Sequence, residues 1–292
     1  MHVIFGKEFQ MKLPLSYYQN RTSHRLLIPE AENGTLSCGF LFKPDHSYSD
    51  TELTFQHYGA LLLLDGTGSY SDHNGNRYRL SPGAFIQRIP GLTHNTLVQS
   101  SGNWLEFFVC FGKESYETLL HLGLISDVPV IFPGLNPQIL EKCVYLLECF
   151  ENASEEQTPY LYHMSQNFVT DMFYASKKYI LNDAERESMA KACELLCRLH
   201  PMKKGTEVAQ ELCLPYELFR KKFKTLYGIS PNAYQMQFRI NFSKRLLLET
   251  RKTIGEIALD CRFSDGFAYS KAFKKRCGVS PLEFRLYHSA TR

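Results

Sequence analysis

The last third of the chain carries apolar side chains at helical spacing in two stretches that resemble each other. The first stretch is VAQELCLPYELFRKKF (Val208–Phe223), and the second, IALDCRFSDGFAYSKAF (Ile257–Phe273), is one residue longer. The turn motif GISP follows the first stretch, and GVSP follows the second. This spacing predicts a short helix, a turn of about four residues and a second helix in each stretch. The chain therefore ends in two related helix-turn-helix units.

In each unit the apolar and polar residues fall on opposite faces of the helices. The positions predicted to be buried are Val208, Leu212, Phe219 and Phe223 in the first unit and Ile257, Ala258, Phe263, Tyr269 and Phe273 in the second. The positions predicted to face outward and contact DNA are Glu217, Arg220, Lys221 and Lys224 in the first unit and Phe267, Ser270, Lys271 and Lys274 in the second. Pro215 and Ser264 stand where the second helices begin, with Ser264 as the expected N-cap.

Two of these outward positions have alternative interpretations. Glu217 either contacts a base or orients Arg220 or Lys221 as a neighbour on the same helix. Phe267 either meets a thymine methyl group or covers the core of its unit. The sequence leaves both alternatives open.

The paired motifs resemble the AraC/XylS family of transcriptional regulators over residues 206–285. The resemblance rests on the GISP and GVSP turns and on the IGEIAL segment at Ile254–Leu259. It also rests on an aromatic pair followed by two lysines, here Tyr269, Phe273, Lys274 and Lys275. It implies a regulator that binds double-stranded DNA as a homodimer and contacts RNA polymerase.

The chain departs from the family pattern in the turns between the two helices of each unit. The family usually has glycine there, because glycine adopts the left-handed backbone at little cost. This chain has Cys213 in the first turn and Arg262 in the second. We expect local strain or a slightly altered turn at both positions.

The distribution of charge supports a DNA-binding C-terminal part independently of the resemblance. The whole chain has a formal net charge of +3, but residues 188–292 contain 20 Lys and Arg against 9 Asp and Glu, a net charge of +11. Residues 1–187 therefore carry a net charge of −8. A basic domain joined to an acidic one is the expected pattern for a DNA-binding module attached to a module that does not bind DNA.

Length and composition limit the remaining possibilities. With 292 residues, 44% of them hydrophobic, the chain suits more than one packed domain. No apolar run reaches the roughly 18 residues of a membrane helix, and the N-terminus lacks the apolar core of a signal peptide, so we expect a cytoplasmic protein. The nine cysteines are scattered without a C-x-x-C pair, which predicts reduced, mostly buried thiols and no zinc site.

The N-terminal part, from about Leu26 to Phe111, consists of short apolar runs separated by turn signals. The runs are TLSCGFLF, ALLLLDGTGSYSD, NRYRL, GAFIQRI and WLEFFVCF. Asp65-Gly66, Asn74-Gly75 and Pro90-Gly91 supply the turns. This pattern predicts an all-β barrel or jelly roll. The segment GTGSYSDHNGNRYRLSPGAFIQRIPGLTH further resembles the small cupin barrel that serves as the effector domain of many regulators in the family.

The cupin resemblance implies a pocket for a small polar ligand such as a sugar. Its pocket-lining positions fall at Lys43, His94, Thr96, Glu106 and Phe108, with Trp104 beside them. Alternatively, Phe108 and Trp104 only fill the barrel. No H-x-H motif precedes His94, so the ligand set of a metal-binding cupin is incomplete, and we expect neither a metal nor a cofactor.

Between the two parts, residues 137–150 and 159–181 show helical apolar spacing around the polar segment ENASEEQT. They predict an antiparallel helix pair, which either forms a dimer contact or covers one side of the barrel. NDAERE (182–187) is predicted to be a linker. The expected domains are a cupin-like effector domain (1–135), a helical dimerisation and linker region (136–187) and an all-α DNA-binding domain with two helix-turn-helix units (188–292).

Two classes of function follow from this organisation. The first is a transcription regulator whose barrel senses a small molecule and whose basic domain binds DNA; such a protein is not an enzyme. The alternative is a cupin-type enzyme that carries an accessory DNA-binding domain, and the incomplete metal-ligand set argues against it.

Overall fold

The computed structural model describes residues 19–27, 34–43, 49–99, 104–177, 183–227 and 229–289. Strands dominate the first part and helices the second. The strands are β1 (Arg21–Leu26), β2 (Thr35–Lys43), β3 (Asp50–Leu53), β4 (Tyr58–Asp65), β5 (Gly68–Ser71), β6 (Arg77–Leu80), β7 (Phe85–Arg88), β8 (His94–Val98), β9 (Trp104–Phe111) and β10 (Val130–Ile131). The helices are α1 (Lys113–His121), α2 (Pro137–Asn152), α3 (Thr158–Ser176), α4 (Asp183–Leu196), α5 (Gly205–Glu211), α6 (Tyr216–Tyr227), α7 (Pro231–Glu249), α8 (Ile254–Asp260), α9 (Gly266–Cys277) and α10 (Pro281–Ser289).

The strands form two antiparallel sheets that face each other as an open, cupin-like barrel. One sheet has the order β1-β2-β9-β4-β7-β10, and the other has the order β3-β8-β5-β6. Each of the five predicted apolar runs contains a strand. The turn glycines Gly66, Gly75 and Gly91 have φ angles of 93°, 79° and 77°, which other residues rarely adopt. The predicted all-β architecture is confirmed.

Alternation along the strands divides the apolar side chains between two cores. On β9, Leu105, Phe107 and Val109 belong to a core shared with the helices that cover the six-stranded sheet. Trp104 points the other way and belongs to a smaller core between the two sheets. Because neighbouring residues of a strand face opposite sides, the even-numbered positions of β9 face the barrel interior.

Helices α2 and α3 cover the outer face of the six-stranded sheet. Phe168 packs edge-on against Phe107, with ring centroids 5.3 Å apart. The interpretation that the pair covers one side of the barrel is therefore realised. The outer surface of the pair exposes Tyr145, Tyr160 and Tyr174. The second predicted helix was expected to reach residue 181, but α3 ends at Ser176, and residues 178–182 lie outside the described residues.

The linker predicted at NDAERE is corrected by the structure. Residue 182 lies outside the described residues, and α4 begins at Asp183, so the rest of the segment is helical. Glu187 pairs with Arg79 of the barrel, with 2.7 Å between Oε1 and Nη1. The polar character that suggested a linker instead belongs to the first turns of a helix with a charged outer face.

The C-terminal domain contains two separate hydrophobic cores joined by α7. Tyr234 and Phe238, in the first half of α7, belong to the core of α4, α5 and α6. Ile240 and Leu247, in the second half, belong to the core of α8, α9 and α10. The two helix-turn-helix units therefore share one helix, and each fills its own interior.

Candidate DNA interface and effector cavity

The first helix-turn-helix unit is formed by α5 and α6 with four residues between them. Val208, Phe219 and Phe223 are fully buried, as predicted, and Leu212 is half-buried. The rings of Phe219 and Phe223 meet edge to face at 5.5 Å. Val208 of α5 shares one core with these two rings, so α6 packs on α5 through one apolar face and its opposite face lies in solvent.

The second unit is formed by α8 and α9, with five residues between them instead of four. The residue inserted in the second sequence stretch therefore lies within the turn. A capping box starts α8, because the Thr253 side chain accepts from the Glu256 amide and Glu256 accepts from the Thr253 amide. The N-cap of α9 is Asp265, which accepts from the Ala268 amide at 2.7 Å, so the prediction of Ser264 was wrong by one residue.

Cys213 and Arg262 occupy the left-handed region of the backbone, with φ angles of 54° and 62°. The strain expected where these residues replace glycine is confirmed. A non-glycine residue in this conformation costs about 1–2 kcal/mol, so both turns are less stable than a glycine turn would be.

The structure brings the predicted DNA-contacting residues together on the free faces of α6 and α9. Exposed side chains are Glu217, Arg220, Lys221, Lys224, Phe267, Lys271 and Lys274. Ser270 differs, because it is half-buried and its hydroxyl donates to the Gly266 carbonyl at 2.7 Å.

Glu217 and Phe267 lie in different surroundings on their helices. The Glu217 carboxylate lies 3.5 Å from the Arg220 guanidinium, as the interpretation of Glu217 as a neighbour on the same helix expects. Phe267 is 80% exposed and does not cover the core. An exposed phenylalanine on a helix of this kind is suited to contact a thymine methyl group.

The barrel interior contains a cluster of charged side chains. The Arg88 guanidinium lies 2.8 Å from the Asp50 carboxylate, and Lys43 Nζ lies 3.5 Å from the same carboxylate. Lys43 also lies 3.7 Å from the buried carboxylate of Glu106, which accepts from the Trp104 indole. Two basic and two acidic groups are thus held together, and their formal charges balance.

Several buried polar atoms of the barrel interior have no hydrogen-bond partner among the described residues. They are Arg88 Nε, His94 Nε2, Thr96 Oγ1 and Glu106 Oε1. Leaving such an atom unsatisfied costs roughly 1–3 kcal/mol, and more when the group is charged. A set of unsatisfied polar atoms in one interior is the arrangement expected of a site that receives a polar ligand.

His94 is held in its neutral form. Burial, helped by the positive charge of Arg88, lowers the pKa of the imidazole to about 4. The ring stacks on Tyr70 at 5.6 Å, and Nδ1 lies 3.5 Å from the Leu92 carbonyl oxygen. Because a carbonyl oxygen only accepts, Nδ1 carries the hydrogen and Nε2 is an acceptor.

The structure places Lys43, His94, Thr96 and Glu106 in the barrel interior, and the sequence missed Asp50 and Arg88. Arg88 had a recognisable signal, because it stands two residues after buried Ile86 in the run GAFIQRI and shares its face. Asp50 had none, since β3 was not predicted.

The two aromatic candidates fill different roles. Phe108 is half-buried and packs against the apolar core between the sheets, as its alternative interpretation stated. Trp104 is fully buried and orients Glu106 in addition to filling space.

The described residues contain neither a metal-binding cluster nor a membrane-spanning helix. No group of three or more His, Cys, Asp and Glu side chains is arranged to hold a metal ion there. None of the helices within the same ranges has the length and apolar character needed to cross a membrane.

The barrel and the DNA-binding domain touch through specific polar contacts. Asn241 of α7 donates to Asp65 at the end of β4, with 2.8 Å between Nδ2 and Oδ2. The Leu135 amide donates to the Leu226 carbonyl near the end of α6 at 3.1 Å. Arg79 of β6 reaches the acidic face of α4, where its Nε lies 3.0 Å from the Glu194 carboxylate.

These features define a two-domain protein in which an open β-barrel with a polar interior is attached to a tandem helix-turn-helix domain. The family described as "Helix-turn-helix domain" matches residues 208–286. With this match, the C-terminal part of the chain is an AraC-type helix-turn-helix domain, and the resemblance noted in the sequence is confirmed.

Three known proteins illustrate how far the similarity extends. The HTH-type transcriptional regulator ArgR of Pseudomonas aeruginosa is 34% identical over 79 residues, which is 27% of this chain and 24% of that protein. The uncharacterized HTH-type transcriptional regulator YisR of Bacillus subtilis is 25% identical over 258 residues, covering 82% of this chain and 86% of that protein. The structure of ToxT from Vibrio cholerae is 16% identical with a TM-score of 0.32, covering 86% of this chain and 98% of that chain.

The matches to ArgR and to the regulator VirF span less than a third of each of those proteins. The matched stretch spans 24% of ArgR and 32% of the virulence regulon transcriptional activator VirF of Yersinia enterocolitica. Similarity over so short a stretch does not extend to the activity of the whole chain.

Proposed function

We propose that this protein is a sequence-specific, DNA-binding transcription regulator that responds to a small polar effector. The observation that carries the proposal is the pair of exposed basic helices, α6 and α9, on a domain of net charge +11. Two such helices held by one connecting helix are suited to enter successive major grooves about 34 Å apart. The named relatives, ArgR and YisR, are transcriptional regulators.

Within this proposal the outward side chains divide into two roles. Arg220, Lys221 and Lys271 would read base edges, because bidentate or direct contacts from Arg and Lys discriminate among bases. Lys224 and Lys274, nearer the C-terminal ends of their helices, would contact phosphate, which adds affinity without sequence information. Glu217, Phe267 and Ser270 complete the proposed surface.

The two roles predict different consequences for two matched alanine variants of α6. Lys221→Ala should cost roughly 1–3 kcal/mol on the preferred site and change the preferred base, because it removes a base contact. Lys224→Ala should weaken all sequences alike and lower the salt slope of log K by about 1, because it removes one phosphate contact. The measurement is selection from a random DNA pool with full-length protein, followed by anisotropy titrations at several salt concentrations.

Both variants remove one exposed lysine from the same helix, so each controls for the loss of charge in the other. A change of sequence preference in Lys224→Ala would overturn the assignment of faces. Binding by the wild type that does not respond to salt, or no binding at all, would overturn the proposed function.

The effector we propose is a neutral polyhydroxylated compound such as a sugar. The unsatisfied atoms of the cavity include a donor, Arg88 Nε, and two acceptors, His94 Nε2 and Glu106 Oε1. The hydroxyl of Thr96 can donate or accept. A polyol presents hydroxyl groups that both donate and accept, and its lack of charge leaves the balanced ion pairs of the cavity undisturbed.

Glu106→Gln is expected to lower the affinity for such a ligand at least tenfold, because hydrogen bonds to a charged group contribute roughly 1.5–3 kcal/mol. A panel of monosaccharides and sugar alcohols tests this by thermal shift and then by calorimetry. At about 100 times Kd, a ligand should stabilise the wild type by about 2.7 kcal/mol. Glu117→Gln makes the same change at an exposed position of α1 and should bind like the wild type. Equal binding by Glu106→Gln, or no stabilisation of the wild type by the panel, contradicts the proposed effector site.

Contacts between the domains connect the interior of the barrel to α7 of the DNA-binding domain. Leu63 pairs with Glu106 across the sheet, and the register shifts between Leu63 and Asp65, which holds Asn241 of α7. A ligand acts through these contacts only if it binds one arrangement of the domains more tightly, since equal affinity shifts no population.

The remaining parts of the proposal concern assembly and location. The exposed tyrosines of α2 and α3, Tyr145, Tyr160 and Tyr174, offer an apolar surface for a homodimer. The homodimer, the contact with RNA polymerase and the cytoplasmic location stay predictions that follow from the family resemblance and the sequence.

A further inference from the structure

The separation between the two recognition helices depends on how the two helix-turn-helix units are held relative to each other. Their hydrophobic cores do not merge, because α7 contributes its first half to one core and its second half to the other. A single shared helix resists bending but fixes the rotation of each unit only through the packing at each of its ends. A contact that joins the units away from α7 would therefore determine their relative orientation.

Arg262 makes such a contact. It lies in the turn of the second unit, four residues before α9 begins, and its side chain extends to the loop between α4 and α5 of the first unit. Its Nε donates to the Leu199 carbonyl oxygen at 3.0 Å. Its Nη2 lies 2.5 Å from Nδ1 of His200. One side chain of the second unit thus holds two successive residues of the first.

The backbone of Arg262 is held from α7 at the same time. Arg239 donates through Nη2 to the Arg262 carbonyl at 2.6 Å and through Nε to the Cys261 carbonyl at 2.8 Å. Its guanidinium also lies 3.9 Å from the centroid of the Phe263 ring. The turn before α9 is therefore fixed to α7 through its carbonyl groups and to the first unit through the Arg262 side chain.

The backbone conformation of Arg262 indicates that the turn itself does not require an arginine side chain. With φ at 62°, the position is one that glycine occupies without strain. Cys213 occupies the corresponding position of the first unit with φ at 54°. Its thiol is free and exposed, and it makes no hydrogen bond to the described residues of the other unit. The turn itself requires only the left-handed backbone, whereas the bond to Leu199 requires the arginine.

We propose that Arg262 is a positioning residue that fixes the distance and rotation between α6 and α9, and thereby the spacing of the half-sites that the protein accepts on DNA. This inference rests on the proposed function, since it assumes that both helices bind DNA. Arg239 supports it by holding the Arg262 carbonyl. A rigid connection accepts one spacing, because adding a base pair moves the second half-site by about 3.4 Å and rotates it by about 35°.

Arg262→Gly and Arg262→Lys test the proposal together. Glycine removes the backbone strain together with the contacts to Leu199 and His200. Lysine keeps the positive charge but lacks the planar guanidinium that makes both contacts at once. Full-length wild type first selects a site from a random DNA pool, and one base pair is then added or removed between the half-sites. We expect this change to weaken the wild type roughly tenfold or more and both variants less than about threefold, because a hinged pair of units follows the second half-site.

Arg251→Ala serves as the matched control. Arg251 is exposed between α7 and α8, and the structure gives its side chain no polar contact among the described residues. The substitution removes one positive charge from the same domain and should leave the spacing penalty at the wild-type value. If Arg262→Lys behaves like the wild type while Arg262→Gly does not, the effect comes from charge, and the positioning role is wrong.

A measurement without DNA provides a second readout. Spin labels attached at Lys221 and Lys271 through a non-natural amino acid report the distance between α6 and α9 by pulsed dipolar spectroscopy. The proposal expects one narrow distribution in the otherwise wild-type chain and a broader one in both Arg262 variants, with unchanged thermal unfolding of the barrel. Narrow distributions and wild-type spacing penalties in both variants would overturn it. A wild type that selects no DNA sequence instead refutes the proposed function, so the two failures are distinguishable.

Discussion

Replacement of Phe273 by alanine is expected to lower the free energy of unfolding of the second helix-turn-helix unit by about 3–5 kcal/mol. The Phe273 ring has no exposed surface, and it meets Tyr269 and Phe284 edge to face at 5.7 Å and 5.4 Å. It joins α9 to α10 within a small core, so the cavity left by truncation has few neighbours that can collapse into it. Because typical domains are stable by only about 5–15 kcal/mol, the unit should be largely lost at moderate urea concentrations.

Phe267→Ala is the matched control, since it makes the same substitution about 1.7 turns away on the same helix. Phe267 is 80% exposed, so its truncation should change stability by less than about 0.5 kcal/mol while weakening DNA binding. Urea unfolding followed by circular dichroism reports the helices. Fluorescence of Trp104, the single tryptophan of the chain, reports the barrel. Equal stability of the two variants in the helical signal would contradict the assignment of Phe273 to the core.

The helix-turn-helix units were predictable because the information that defines them is local. Apolar spacing identified the buried positions of both units. Because the two units are related in sequence, the pattern in one unit also supported the prediction for the other. The GISP and GVSP motifs place a serine N-cap and a proline at the start of α7 and α10. Local ambiguity explains the error at the N-cap of α9, because Ser264 and Asp265 are adjacent and both can cap a helix. Asp265 accepts from the Ala268 amide and also from the Ser264 hydroxyl.

The interior of the barrel was only partly predictable, because its chemistry depends on residues distant in sequence. Asp50 meets Arg88 across 38 residues, and Lys43 meets Glu106 across 63. The family resemblance indicated four residues of the barrel interior, namely Lys43, His94, Thr96 and Glu106. No alternation of apolar and polar residues marks Asp50, whose strand is short and partly exposed. Strand pairing, rather than propensity, brings these groups together.

Contacts between domains had no signal in the sequence at all. Asp65 stands in the turn dipeptide Asp65-Gly66. The sequence does not show whether its side chain only closes this turn or also binds α7. The structure shows both, since Oδ1 accepts from the Gly66 amide and Oδ2 from Asn241. The same holds for Arg262, whose backbone strain followed from the family pattern but whose bond to Leu199 did not.

The barrel is expected to lose stability as the pH falls from about 6.5 to about 4, because His94 stays neutral in the folded protein. Burial lowers the pKa of His94 to about 4, whereas in the unfolded chain it titrates near 6.5. At neutral pH the imidazole is uncharged in both states and contributes no difference. Below about pH 6.5 the unfolded chain binds a proton that the folded barrel excludes, so unfolding becomes more favourable, by roughly 2 kcal/mol at about pH 4.5.

His94→Gln isolates this contribution, because glutamine is uncharged at every pH and of similar size. Urea unfolding followed by Trp104 fluorescence at about pH 7 and about pH 4.5 should show a smaller acid loss in the variant, by roughly 2 kcal/mol. His57 is the main competing group, since burial and Arg88 lower its pKa as well, but it titrates in both proteins and cancels in the comparison. The acid loss would be identical in the two proteins if His94 were protonated in the folded barrel, held by the Asp50 carboxylate. In that case Nε2 would be a donor, and the cavity would favour a ligand that is richer in acceptors than the polyol we propose.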